Sequence, residues 1–255
     1  MKRNIITLLI TVFAMLQATA QTYDNLWKQA DIIAQKDQPK SEIGVMKKII
    51  SKATAAKDYG QLLAAEIRQA ILWREISPDS LTPNVKRMET EALKAKDPVL
   101  KAVRYAVLGK VYRDMNEKKS EEFFKKALEQ PELLARNASS GYVPLTLKGV
   151  DGSSFNNDLL HLIGFEADSK EAYHLMYTYY NKVGNRGAAC LCAYKLIEKY
   201  RQDDVREVRK SKYLNTIDSL IHVYQDIPEA GELAVEHFRF MEGATDAKPL
   251  DKLNY

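Results

Sequence analysis

The sequence predicts an all-α fold, a right-handed stack of antiparallel helix hairpins forming an α-solenoid. Three observations carry that reading. From Tyr23 onward, apolar residues recur at helical spacing rather than at every second position. Short polar turns separate these segments at intervals that leave each helix too short to be stable without neighbours. Gly109 stands inside one of them, where a glycine costs roughly 1 kcal/mol against alanine, which implies that side chains of another helix press on its backbone.

Taken in order, Tyr23, Leu26, Trp27, Ala30 and Ile33 give the first helix an apolar stripe. The second starts near Pro39-Lys40-Ser41, since proline suits a first helical turn, and Ile43, Met46, Ile49, Ile50 and Ala53 line its inner face. After a turn at Lys57-Asp58-Tyr59-Gly60, Leu62, Leu63, Ile67, Ala70, Ile71 and Trp73 form the third. Ile76-Ser77-Pro78-Asp79-Ser80 breaks the pattern, because the residue before a proline is pushed out of the helical region. A charged helix from about Pro83 to Lys96 is expected to be exposed on the stack. Asp97-Pro98 reads as cap and first turn of the next helix.

That next helix carries Tyr105, Leu108, Gly109 and Tyr112; a turn at Met115 to Lys119 follows, then Phe123, Phe124, Ala127 and Leu128 as a second buried face. The spacing aromatic, Leu-Gly, Tyr, then small (Ser120), aromatic (Phe124), small (Ala127) resembles the tetratricopeptide repeat, with the gap between the halves one residue short of the usual repeat of about 34 residues. A second hairpin fits the same register: Tyr173, Met176, Tyr177 and Tyr180, a turn from Val183 to Gly187, then Ala189, Ala193 and Leu196. Here Tyr177 stands where the repeat has a small residue and Leu196 where it has alanine. Between the hairpins, Gly141 to Asn157 is a long irregular stretch, uncommon inside a compact domain, with Asn156 or Asn157 expected to cap a short helix from Asp158. The last pair runs from about Asp204 to Tyr224 and from Glu229 to Met241. The expected organisation is therefore a leader over 1–20, a first helical half over 21–140, an irregular loop over 141–157, a second half over 158–242 and a C-terminal extension over 243–255.

The leader reading rests on a positive start, Met1-Lys2-Arg3-Asn4, an apolar run from Ile5 to Leu16 and an A-x-A site at Ala18-Thr19-Ala20. A membrane span needs about 20 apolar residues, and this run is interrupted by Thr7, Thr11 and Gln17. Export is expected, with no stable membrane anchor after cleavage; the periplasm or cell envelope of a Gram-negative bacterium is what the family resemblance given below implies as its destination. Without Lys2 and Arg3 the formal charge falls from +4 to +2, which gives no general electrostatic case for nucleic acid. Charged residues make up 28% of the chain with both signs interspersed, as expected of solvated helix faces. Cys190 and Cys192, two positions apart, would point about 200° apart on a helix and read as small buried residues rather than a disulfide or metal pair.

The search for chemistry yields no catalytic, cofactor-binding or metal-ligating set. His161, His174, His222 and His237 form no H-E-x-x-H pattern; a site shared by His161 and His174 across two helices is the one metal arrangement conceivable. Gly149 to Ser154 feeds a helix but holds Asp151 and lacks a P-loop lysine, so it reads as a turn. Two features suit a protein partner. Tyr179, about 100° from Tyr180, is expected at a solvent or groove position, and Arg206, Arg209, Lys210 and Lys212, with Lys199 and Arg201, form a basic cluster diluted by Asp203, Asp204 and Glu207.

A further likeness covers nearly all of the chain after the leader. Tyr23-Asp24-Asn25-Leu26-Trp27-Lys28 with Asp37 to Ser41, and Phe155 to His161 with Gly184 to Cys190, resemble the N-terminal helical region of bacterial alpha-2-macroglobulin-like proteins. That family traps proteases through later β-sandwich domains and, in many members, a thioester with a C-x-E-Q core. Cys190 is followed by Leu191, and Cys192 by Ala193 and Tyr194, so no such core is present in this chain. The function expected is a non-catalytic scaffold presenting a helix face to a protein partner or to further domains of a longer chain. The alternative is a carbohydrate- or peptide-binding component of an outer-membrane uptake system, with Gly141 to Asn157 bordering its pocket.

Overall fold

The computed structural model describes residues 23–77, 79, 81–146, 149, 151–203 and 210–242. Their secondary structure is helical, with a single isolated bridge between Ala138 and Asp158 and no strand among the described residues. The expected leader over 1–20 and the extension over 243–255 lie outside the described residues.

The helices are α1 over residues 23–34, α2 Pro39–Ala56, α3 Tyr59–Ile76, α4 Leu81–Lys94, α5 Pro98–Tyr112, α6 Glu117–Ala127, α7 Pro131–Ala135, α8 Leu159–Ala167, α9 Lys170–Lys182, α10 Arg186–Asp203, α11 Lys210–Tyr224 and α12 Ala230–Glu242. Local chemistry sets several of their ends. Lys57 closes α2 in the left-handed conformation (φ 55°), and Asp58 caps α3 by accepting from the Gln61 amide at 3.2 Å. Asp97 caps α5 through the amides of Val99 and Leu100, with Pro98 in its first turn. Asn116 caps α6 and Ser169 caps α9 in the same way.

The chain divides into two compact units: the described residues of Met1–Ala95 with Ser140–Leu147, and those of Lys96–Ser139 with Lys148–Tyr255. These are not the linear halves 21–140 and 158–242. The cut precedes α5, and 140–146 belongs with α1–α4. Inside that first unit the reason is a close approach: a Cβ on Gly60 would run into the backbone of Tyr142 and Val143, so only glycine lets this segment lie on the start of α3.

The core of the first unit joins Tyr23 and Ala30 of α1 to Ile43, Val45, Met46, Ile49 and Ala53 of α2 and to Leu62, Ala65 and Leu72 of α3. Trp27 donates its indole N–H to Gln61 at 2.6 Å. Two sequence expectations fail here. Ile71 is 41% exposed, because α3 turns that position away from α2. The charged α4 is not merely peripheral: Val85, Met88 and Ala92, at i, i+3 and i+7, are buried where it packs on α3.

The second unit is a series of hairpins, α5 with α6, α9 with α10 and α11 with α12. Between the first two, α8 touches α5, α6, α7 and α9. Every residue from Ala188 to Tyr194 is buried, because α10 packs against α9 and also against α11 and α12. Both cysteines lie in that run and are free thiols, with burial pushing Cys190 up to about 12.

Buried charge corrects the expectation that charged residues simply coat the helices. Glu42, Glu66 and Glu236 are all buried. Each takes an arginine from a neighbouring helix: Arg68 Nε to Glu42 at 2.5 Å, Arg87 to Glu66 at 3.6 Å and Arg201 Nε to Glu236 at 2.5 Å. Removing one partner of such a pair strands the other charge, a loss of about 3–5 kcal/mol when both are fully enclosed. These arginines are partly exposed, so the loss here is smaller.

Candidate interaction surface

A buried polar centre of the second unit sits where the irregular stretch ends. Asp158, not Asn156 or Asn157, caps α8: its carboxylate accepts from the His161 amide at 2.8 Å. The two asparagines instead adopt positive φ, 55° and 52°, conformations that asparagine tolerates, and so form the turn. Asp158 is 2% exposed, and the Tyr180 hydroxyl of α9 donates to both of its oxygens, at 3.0 and 2.9 Å. Burial pushes this carboxyl up to about 6, against the downward pull of the hydrogen bonds from the His161 amide, Tyr180 and the Leu160 amide. Burial first, and then the charge of Asp158, push the Tyr180 phenol far above its ordinary value.

Around this pair, Phe155 is fully buried, stacked on the His161 ring at 4.1 Å and edge-on to Tyr180 at 5.2 Å. The Asn185 amide donates to the Ser154 carbonyl at 2.9 Å, and the Ser154 hydroxyl donates to Glu229 at 3.1 Å. Residues 151–158 are thus a packed insert tied to the α9–α10 turn and the approach to α12. A carboxyl titrating near 6 suits proton transfer. This one is enclosed with both oxygens on one phenol, so it works as cap and anchor.

A second polar cluster closes the other end of α8. Asp168 accepts from Tyr173 at 2.7 Å and from Lys199 at 2.6 Å. Burial raises its carboxyl, but the Lys199 and Tyr173 hydrogen bonds outweigh that and hold it below the usual range. Neither Asp158 nor Asp168 stood out in the sequence, because each depends on a tyrosine from the next helix.

The residues singled out for a partner fare unevenly. Tyr179 is half-buried on α9, its ring edge-on to Tyr180 at 5.3 Å. Its phenol is raised by burial, then by Asp158 and Glu132, with Arg136 opposing. Arg206 and Arg209 lie outside the described residues; Lys210 and Lys212 fall in the first turn of α11, and their side chains are not described. His161 is buried among aromatic rings whereas His174 is exposed on α9. Among the described residues no group of three or more His, Cys, Asp or Glu side chains is placed to hold a metal ion, and no helix is long and apolar enough to cross a membrane.

The structure adds an aromatic ladder across α5 and α6. Phe123 stacks on Tyr112 at 5.5 Å with a 12° tilt, and Tyr105 lies 6.0 Å from Phe123 on the other side. Lys126 reaches over Phe123 at 5.2 Å and Tyr105 at 6.0 Å; Lys119 lies over Tyr112 at 4.6 Å. Tyr105 and Phe123 are half-buried, so Phe123 is not on the buried face where its spacing put it. The signal was legible all the same: Tyr105 and Tyr112 are seven apart, and Lys119, Phe123 and Lys126 follow at i, i+4 and i+7.

Compared with protein families, curated proteins and solved structures, the chain matches none.

Proposed function

We propose that this chain is an exported, non-catalytic helical-repeat scaffold, a right-handed tetratricopeptide-like stack whose role is to present a helix face to another protein or to further domains of a longer polypeptide. The observation that carries the reading is the continuous burial of residues 188–194 in α10. A helix enclosed from Ala188 to Tyr194, with its own hairpin partner α9 and the next hairpin α11–α12 both packed on it, is what stacked repeats produce, each unit covering the apolar face of its neighbour. Gly109 supports it too: a Cβ there would meet the Phe124 ring at 2.7 Å, the close contact that the repeat's glycine allows.

The resemblance of Tyr23–Lys28 and Phe155–Cys190 to bacterial alpha-2-macroglobulin-like proteins makes the N-terminal module of such a protease inhibitor the specific form of this proposal. Fold alone does not choose a function, so the partner is the test. Immobilised protein exposed to envelope extract of the source cells should retain a defined partner, and Tyr179→Ala should weaken its capture without loss of helicity. Failure to retain any protein over background would overturn the scaffold reading. Reading the gene beyond the codon for Tyr255 tests the macroglobulin form: a frame continuing into β-rich domains supports it, and a stop codon removes it.

Against the uptake-component alternative stands the placement of residues 151–158, whose Phe155 fills the core instead of lining an opening. A thermal shift with oligosaccharides or peptides would favour that alternative.

A further inference from the structure

Cleavage after the A-x-A site at Ala18-Thr19-Ala20 makes Gln21 the first residue of the mature chain and leaves only Thr22 ahead of Tyr23. Tyr23 is already core. Its side chain is 2% exposed, belongs to the apolar cluster that joins α1 to α2 and α3, and carries the Lys52 ammonium of α2 at 5.0 Å from its ring centroid. Proteolysis concentrates at chain ends, and here two residues separate the end from a side chain that the first unit packs inside.

Glutamine at a free N-terminus has a reaction that it has nowhere else in a chain. Its α-amino nitrogen attacks the carboxamide carbon of its own side chain and closes a small lactam ring. The bond between that nitrogen and that carbon forms, the bond from the carbon to the amide nitrogen breaks, and the amide nitrogen leaves as ammonia with the proton lost by the α-amino group. Nothing is oxidised or reduced, and no co-reactant is consumed. The product carries no basic amine, so the terminal charge is gone and an aminopeptidase has no free amine to recognise.

We propose that Gln21 is a modification site: once the leader is removed it cyclises to a pyroglutamyl residue, which ends the mature chain in a neutral lactam and closes it to aminopeptidases before they reach Tyr23. The inference rests on the exported reading and adds the chemical state of the exported form. Charge near the terminus is mixed, with Lys52 set against Asp24 of α1 and Asp58, whose charge reaches Tyr23. The reactivity of the terminal glutamine therefore selects the lactam, and the burial of Tyr23 gives it a use.

The test recovers the protein from cells that express the full chain, leader included, and reads its terminus by tandem mass spectrometry on undigested protein, so that no cyclisation arises during proteolysis. N-terminal fragments beginning at Gln21 should be lighter by one ammonia than the unmodified sequence requires. Edman degradation should release nothing until a pyroglutamyl aminopeptidase has removed the lactam, after which the sequence should read from Thr22. An unmodified Gln21 terminus overturns the proposal and leaves the exported reading standing; a retained leader, or a terminus at another residue, overturns the cleavage assignment and the proposal with it. Gln21→Ala should be open to Edman degradation and should lose its leading residues to a general aminopeptidase that the parent chain resists. Equal trimming of the two would overturn the protective role. A chain shortened to begin at Asp24 should unfold at lower urea than one beginning at Gln21, and equal midpoints would show that Tyr23 is not what the lactam protects.

Discussion

The α5–α6 and α9–α10 hairpins follow the same spacing but solve the problem of close packing in opposite ways. In α5–α6 the small residue is on the first helix, Gly109, and the large one on the second, Phe124. In α9–α10 the first helix carries Tyr173, Met176 and Tyr180, and the second answers with Ala188, Ala189, Cys192 and Ala193, all buried. The glycine that α9 lacks is supplied by α8, where a Cβ on Gly164 would collide with the Met176 thioether. Volume complementarity between facing helices decides whether a hairpin closes, and the side that holds the small residue is free to change.

The polar content differs as well. The first hairpin buries a neutral bond, Ser120 to the Gly109 carbonyl. The second leans on a carboxylate, Asp158 beneath Tyr180. Its stability should therefore depend on pH where that of the first does not.

These differences can be broken one at a time. The largest effect is expected from Phe124→Ala, which empties the site over Gly109 and should cost about 3–5 kcal/mol in urea unfolding, whereas the half-buried Tyr177→Ala in the other hairpin should cost much less. Equal losses would mean that α5–α6 does not close on that ring.

Next comes pH. The Asp158 carboxyl is raised from 3.8 to about 6 in the folded chain, so the folded state holds the proton more tightly than the unfolded one. Its contribution is fully present below about 4 and is lost as pH rises through about 6, a change of up to about 3 kcal/mol. Asp158→Asn keeps a capping oxygen and a partner for Tyr180 while removing the charge, so the decline in melting temperature between pH 4 and 7 should flatten. An unaltered profile would show that Asp158 is not the group responsible.

Gly109→Leu should overpack the first hairpin and lower stability by about 1–3 kcal/mol; an unchanged unfolding midpoint would mean that the helices do not approach there. Gly164→Ala should cost less, since a methionine side chain can swing aside where a buried ring cannot. A larger loss at Gly164 than in Gly109→Ala would reverse that ranking. The smallest effect is expected from Ser120→Ala, about 1 kcal/mol for a buried carbonyl left without its donor.

Much of this was legible in the sequence, for reasons that are local. Asp97-Pro98, Pro39 and Ser77-Pro78 mark helix ends because capping and proline geometry act within one turn. The contact over Gly109 was readable because a mid-helix glycine is unfavourable unless something presses on it. Cys190 and Cys192 were readable as core because no local geometry allows them to pair. The candidate surface was half legible. The heptad spacing of Tyr105 with Tyr112 and of Lys119 with Lys126 was present, but which side of α6 faces inward depends on α5.

Sequence by itself determined that the described chain is helical, where most helices start and stop, and which residues form the apolar stripe of α1, α2, α5 and α9. Tertiary structure alone decided that Glu42, Glu66 and Glu236 are buried beneath arginines 21 to 35 positions away, that Tyr142 and Val143 return to the start of α3 at Gly60, and that the Asp158 carboxyl is bonded by the Tyr180 hydroxyl. Helical periodicity reports which residues face the same way, because it follows from the 3.6-residue turn. It carries nothing about which distant side chain comes to face them, and the energy of a buried charge depends on that partner.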